Sequence, residues 1–234
     1  MPGSPRLIVS SPSALLPPRL DSPGALLKEL RESPRTPGRY IVLLSTGEQC
    51  VVGIDTLAAL GATRIGIALD SQQVAQLLRA GAVTALIDRA LNSLALGRRT
   101  RRELEIKLRR IQPDVLLIAE ALDRLEANGI LSDVAVARAE ASARLRRGEA
   151  PARVRQTLRR KGIDARGTDA AIVEAIETDG FDELSACRQQ AQKRAKALIS
   201  LAPVVARRRL TAYLLRRGFG GRAVRSVVEE ILGR

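Results

Sequence analysis

At 234 residues with 45% hydrophobic side chains, the chain is long enough to bury a substantial core. It carries 39 Lys+Arg against 25 Asp+Glu, a net charge of +14, and the excess is lopsided: residues 1–97 hold nine basic and seven acidic side chains, residues 98–234 hold 30 and 18. That asymmetry points to an anionic partner for the C-terminal part, and the complete lack of His removes His-based triads, His acid–base catalysis and nearly all common zinc ligand sets.

Residues 1–37 contain eight of the eleven prolines and six serines, a composition that resists packing and reads as a disordered extension. Leu26, Leu27 and Leu30 have the spacing of a helical turn within it. From residue 38 to 83 the pattern changes to a small α/β domain. Tyr40–Leu44 and Gln49–Ile54 are β-branched and aliphatic runs flanking Ser45–Glu48, a hairpin signature. A short segment Asp55–Leu60 ends at Gly61, Arg64–Leu69 fits a third strand, and Asp70 caps a helix whose Val74, Leu77 and Leu78 share a face before Gly81.

Beyond Thr84 helical periodicity takes over, and one module recurs. Glu103–Ile111, Val154–Ile163 and Leu210–Phe219 each carry an apolar stripe, an arginine pair and a corner, and each leads into an aliphatic helix. Leu108, Leu158 and Leu214 occupy matching positions 50 and 56 residues apart. Such a period signals stacked units sharing a core. The punctuation agrees: Thr100 with Glu103 as a capping box, Pro113 then Asp114, Pro151 and Pro203 at helix starts, and Gly97, Gly162 and Gly180 at helix ends. The fold class expected is mainly α: three tandem three-helix repeats (84–132, 133–184 and 185–234) in a curved, elongated array behind the small α/β domain.

Catalytic and metal-binding constellations are missing. Cys50 and Cys187 lie too far apart for a CxxC site, a pair compatible with a reducing cytosol. There is no phosphate-loop or dinucleotide fingerprint, and Gly218–Gly221 reads as a helix–helix turn. Glu120, Asp123 and Glu126 read as a solvated helix face. No apolar run approaches a membrane span, so a cytoplasmic protein without enzymatic activity, metal or cofactor is expected. With four aromatic residues in all, stacking on bases cannot be a main binding device.

What remains are basic clusters: Arg98, Arg99, Arg101 and Arg102 before the first module's helix, with Arg109 and Arg110 at its end. The second repeat brings Arg144, Arg146, Arg147, Arg153, Arg155, Arg159, Arg160 and Lys161; the third brings Arg207, Arg208, Arg209, Arg216 and Arg217. Arg155 and Arg159, at i and i+4, share a helix face. Each arginine alone is compatible with a solvated face. The set, repeated over three units, forms an expected anion-binding surface.

The strings Arg98–Arg110, Leu122–Asp133 and Ala143–Asp164, the closing Ala212–Leu232 and the hairpin from Tyr40 together resemble the RecX family of regulatory proteins over residues 38–234. Thr157 stands where that family commonly has an acidic residue, and Val136 where it often has an aromatic. The resemblance implies a monomeric modulator of the RecA recombinase that lies in the groove of the RecA–DNA filament. It also implies contacts with single- and double-stranded DNA through phosphates, and inhibition of ATP hydrolysis, strand exchange and coprotease activity in DNA repair and the SOS response. A stand-alone helical DNA-binding protein is the alternative, although base-reading candidates such as Gln156, Asn92 and Asn128 are sparse.

Overall fold

The computed structural model describes residues 24–34 and 36–233. They form two compact bodies, one comprising residues up to Gly97 together with Leu104–Leu131, the other Arg98–Glu103 together with the chain from Ser132 onward.

The first body opens with strand β1 (Ala25–Glu32), followed by β2 (Arg39–Leu44), β3 (Gln49–Gly53), helix α1 (Ile54–Ala59) and a two-residue strand β4 (Ala68–Leu69). All pair antiparallel in the order β3-β2-β1-β4. The β2–β3 hairpin is where the sequence puts it. The strand β1 corrects the expectation of an unstructured extension to residue 37 and of a helical turn at Leu26, Leu27 and Leu30. Ala25 and Leu27 face inward and are buried while Leu26 is half exposed, the period-two alternation of a strand with one covered face. Residues 1–23, the rest of that expected extension, lie outside the described residues. The strand expected over Arg64–Leu69 is confined to Ala68 and Leu69, which pair with Leu26 and Ala25.

Helix α2 (Ser71–Ala95) starts at Asp70, whose carboxylate accepts from the Gln73 N–H at 2.8 Å while the Gln73 side chain accepts from the Asp70 N–H at 2.9 Å. It runs for 25 residues without a break, so the boundary expected between 83 and 84 falls inside it and Gly81 lies mid-helix. Gly81 is a point of close approach: a Cβ there would lie 2.5 Å from the Cβ of Cys50 on β3. The N-terminal part of α2 covers the sheet through Val74 and Leu77; its C-terminal part packs Val83, Leu86 and Ala90 against α3 (Arg101–Arg109) and α4 (Val115–Ala127). Leu104, Leu108, Leu117, Ile118, Leu122 and Leu125 complete that core.

The second body contains α5 (Asp133–Arg146), α6 (Pro151–Arg160) and α7 (Ala165–Asp179), then α8 (Glu183–Ala195), α9 (Pro203–Arg216) and α10 (Gly221–Leu232). One core joins Ala137, Leu145, Val154, Leu158 and Ile172; a second joins Cys187, Leu210, Leu214, Phe219, Val224 and Val227. The half-buried Phe181 packs against both. Thus α2–α4, α5–α7 and α8–α10 are the three tandem three-helix groups, preceded by a small sheet.

Candidate anion-binding surface

The two edges of α6 are set by Pro151 at its first turn and by Gly162 just past its end, at φ +91°. Val154 and Leu158 are fully buried, so the helix turns Arg155 and Arg159 to the side and Arg153 and Arg160 outward. Residues 100–102, at the start of α3, meet the C-terminal end of α6. The Thr100 hydroxyl donates to the Lys161 carbonyl at 2.6 Å, and the Arg101 N–H donates to Asp133 Oδ1 at 2.8 Å. A Cβ on Gly162 would lie 2.5 Å from Cδ and 2.6 Å from Cβ of Arg102, so the Arg102 stem lies flat on that glycine.

Arg102, Arg155, Arg159 and Arg160, with Gln156 and Ala152, line an open groove of about 570 Å³. Only Arg155 has a carboxylate partner, Asp169 at 2.7 Å through Nε. Arg160 reaches the Thr157 hydroxyl at 3.4 Å. Among the described residues no carboxylate pairs with Arg102, Arg159 or Arg160. Guanidinium forks so placed can take phosphate or carboxylate oxygens in pairs.

A second recess of about 250 Å³ gathers Arg153, Arg216 and Arg217 with Arg144 and Glu149. Here the corner between α9 and α10 sits on the start of α6: a Cβ on Gly218 would be 2.8 Å from the Arg153 backbone nitrogen. This recess carries its own anion. Glu149 accepts from Arg144 at 3.0 Å, and Arg144 also donates to Glu140 at 2.7 Å. Burial alone would push the Glu140 carboxyl up, but its hydrogen bond from Arg144 and the nearby Lys161 and Arg144 charges hold it below the usual glutamate range. The Arg217 guanidinium lies 5.1 Å from the Tyr213 ring centroid and that of Arg194 lies 5.5 Å from it, two cation–π contacts on one ring that the sequence did not single out.

The other arginines named from the sequence divide by surroundings. Lys161 is half-buried between Glu103 (3.6 Å) and Glu140 (3.7 Å), and Arg146 stands 3.7 Å from Asp179. Arg109, in the first body, is tied to Glu105 at 2.6 Å. These are charges with local partners. Arg98, Arg99, Arg110, Arg147, Arg208 and Arg209 have exposed side chains with no carboxylate partner among the described residues. Arg207 donates to the Gly233 carbonyl. On α4, Glu120 is engaged by Arg79 and Arg124, each at 2.8 Å, and no cluster of three or more metal-ligating side chains occurs among the described residues. No helix among them is long and apolar enough to cross a membrane.

Similarity to known proteins agrees with this architecture. The family model described as RecX, third three-helix domain, matches residues 182–228, which span α8, α9 and most of α10. The regulatory protein RecX of Chlorobaculum tepidum is 33% identical over 154 residues, covering 65% of this chain and 92% of that one. That of Halorhodospira halophila is 34% identical over 148 residues, 63% of this chain and 89% of the relative. A crystal structure of a regulatory protein RecX superposes with a TM-score of 0.69 at 21% identity, over 89% of this chain and 98% of that one. The RecX structure from Lactobacillus salivarius gives 0.54 at 23% identity, over 64% and 96%. With relatives at this identity matched over most of their length, the chain belongs to the RecX family of regulatory proteins.

Proposed function

We propose that the chain is a cytoplasmic, monomeric modulator of the RecA recombinase. It binds in the groove of the RecA–DNA filament and slows ATP hydrolysis, strand exchange and coprotease activity. Regulation acts by binding, with no chemistry of its own. The observation that carries the reading is the groove on α6, where three arginines lack a carboxylate partner among the described residues and face an opening, within a member of this regulatory family. Tandem three-helix groups suit such a target because several weak contacts to a repetitive polymer add into avidity. Phosphates of the filament DNA are the expected ligands of the exposed arginines, and acidic patches of the recombinase the expected partners of the rest.

The test compares binding to bare single-stranded DNA, to RecA alone and to the nucleotide-locked RecA–DNA filament. Preference for the filament together with slowed RecA ATP hydrolysis is the expected result. Equal affinity for bare DNA and filament, with hydrolysis unchanged, would replace this reading by a stand-alone DNA-binding protein.

A further inference from the structure

The smaller hollow of the second body differs from the groove on α6 in holding a fixed carboxylate among its arginines. Arg144, Arg153, Arg216 and Arg217 line this recess of about 250 Å³ together with Glu149. Both Glu149 oxygens accept from Nη1 of Arg144, at 3.1 and 3.0 Å, and Arg144 also donates to Glu140 at 2.7 Å. Arg153, Arg216 and Arg217 have no carboxylate partner among the described residues. We propose that this recess is a site for inorganic phosphate, held by Arg153, Arg216 and Arg217, with Glu149 accepting a hydrogen bond from the phosphate's own O–H. The proposal goes beyond the modulator reading and does not depend on it, because the ligand is a free ion and not part of a filament.

Three features carry it. First, the arginines come from two three-helix groups and are brought together by backbone. The corner after α9 sits so close on α6 that a Cβ on Gly218 would lie 2.8 Å from the Arg153 nitrogen and 3.0 Å from the Arg153 Cβ. Arg153 of the α5–α7 group thereby shares the recess with Arg216 and Arg217 of the α8–α10 group, and an anion between them ties the two groups. Second, the Arg217 guanidinium is held against the Tyr213 ring, 5.1 Å from its centroid. A stacked guanidinium keeps its N–H donors in its own plane, where a tetrahedral oxyanion can take them in pairs. Third, Glu149 decides which oxyanion fits. A carboxylate accepts hydrogen bonds and donates none, and one Arg144 nitrogen leaves each Glu149 oxygen with an unused lone pair. Sulfate and a nucleic-acid phosphodiester carry no proton at neutral pH, so in this recess their oxygens face a like charge. Inorganic phosphate carries at least one. It can turn that O–H to Glu149 and its other oxygens to the guanidinium groups. The recess therefore selects against the phosphodiesters that the groove on α6 suits.

Isothermal titration of the full chain with sodium phosphate, at neutral pH and fixed ionic strength, tests the site. Sodium sulfate and dimethyl phosphate are the comparison probes, each titrated alone and in competition. Saturable phosphate binding is expected, with sulfate weaker by about tenfold or more for want of the donated proton and dimethyl phosphate failing to compete. Arg153→Gln with Arg216→Gln, two exposed side chains, is expected to weaken phosphate binding about tenfold or more with helicity intact by circular dichroism. Arg225→Gln, an exposed arginine on α10 outside the recess, is expected to leave phosphate affinity unchanged. Glu149→Gln supplies an amide N–H in place of a pure acceptor, so it is expected to strengthen sulfate binding and erase the preference for phosphate. The comparison of probes on the unaltered chain decides the selectivity if that variant destabilises the fold.

An unaltered chain that shows no saturable phosphate binding overturns the site. So does equal affinity for sulfate and phosphate, or displacement of phosphate by dimethyl phosphate, since either would leave Glu149 without a part in the choice of ligand. Phosphate affinity retained by the Arg153 and Arg216 pair would place the ion elsewhere on the chain. A loss in Arg225→Gln as large as in that pair would reduce the effect to overall charge, and it too overturns the proposal.

Discussion

Thr100 joins two corners of the second body through one oxygen: its hydroxyl donates to the Lys161 carbonyl at 2.6 Å and accepts from the Glu103 N–H at 3.2 Å. The Glu103 carboxylate closes the capping box at the Thr100 N–H, 3.0 Å away. Thr100 is fully buried, so neither bond is replaced by water if the hydroxyl is lost.

Thr100→Val keeps the shape and removes both bonds. Loss of a helix cap alone costs about 1 kcal/mol, and leaving a buried carbonyl without its donor adds about 1 kcal/mol more. Thr100→Ser keeps the hydroxyl and is expected to stay within about 1 kcal/mol of wild type. Urea unfolding of the three proteins measures this directly. A valine variant as stable as the serine one would show that the bond to Lys161 contributes nothing.

Gly81 offers a sharper contrast with intuition. In the middle of a helix, glycine to alanine ordinarily stabilises by about 0.5–1 kcal/mol. Here the new methyl would sit 2.5 Å from the Cys50 Cβ, and both groups are held by backbone on either side. Gly81→Ala is expected to destabilise by about 1–3 kcal/mol, the usual cost of overpacking, seen as a lower melting temperature. The Cys50 thiol gives a second readout. Burial pushes its pKa up to about 12, so it is unreactive to alkylation near neutral pH in the folded protein and should become reactive as α2 lifts from β3. A raised melting temperature would refute the close approach.

How far the sequence spoke for the structure follows from which interactions are local. Asp70, Thr100 and Asp114 were legible as caps because a cap is written within three residues, and each accepts the backbone N–H bonds that its spacing implies. The role of Gly81 was not legible, because a glycine in a helical pattern serves equally as a stop or as a contact point. Only the position of Cys50, 31 residues earlier, separates the two. The strand β1 was hidden by neighbouring prolines and serines and by leucine spacing that suits a helix turn equally well. At the candidate site the arginines themselves were plain. Their counterions were not: Asp169 lies 14 residues from Arg155, and Glu103 reaches Lys161 from a different helix. Sequence therefore showed where basic charge accumulates, and only the fold separated arginines with a carboxylate partner from those without.

Glu140 should make stability depend on pH in a predictable direction. It accepts from Arg144 at 2.7 Å and lies 3.7 Å from the Lys161 ammonium. These contacts outweigh the burial that opposes ionisation, and its carboxyl is held below the ordinary glutamate range. A carboxyl whose folded pKa is depressed adds stability that is fully present above its unfolded value and disappears as pH falls through the folded one. The stability gap between wild type and Glu140→Gln is thus expected to be greatest at neutral pH, about 1 kcal/mol for a partly exposed pair, and to close progressively on acidification through the carboxylate range. Lys161→Met should remove part of the same pH dependence, because it takes away one of the two cations that lower Glu140. Unfolding free energies at a series of pH values for the three proteins test both statements. A gap that stays constant or widens on acidification would mean that Glu140 acts through packing, with its charge playing no part.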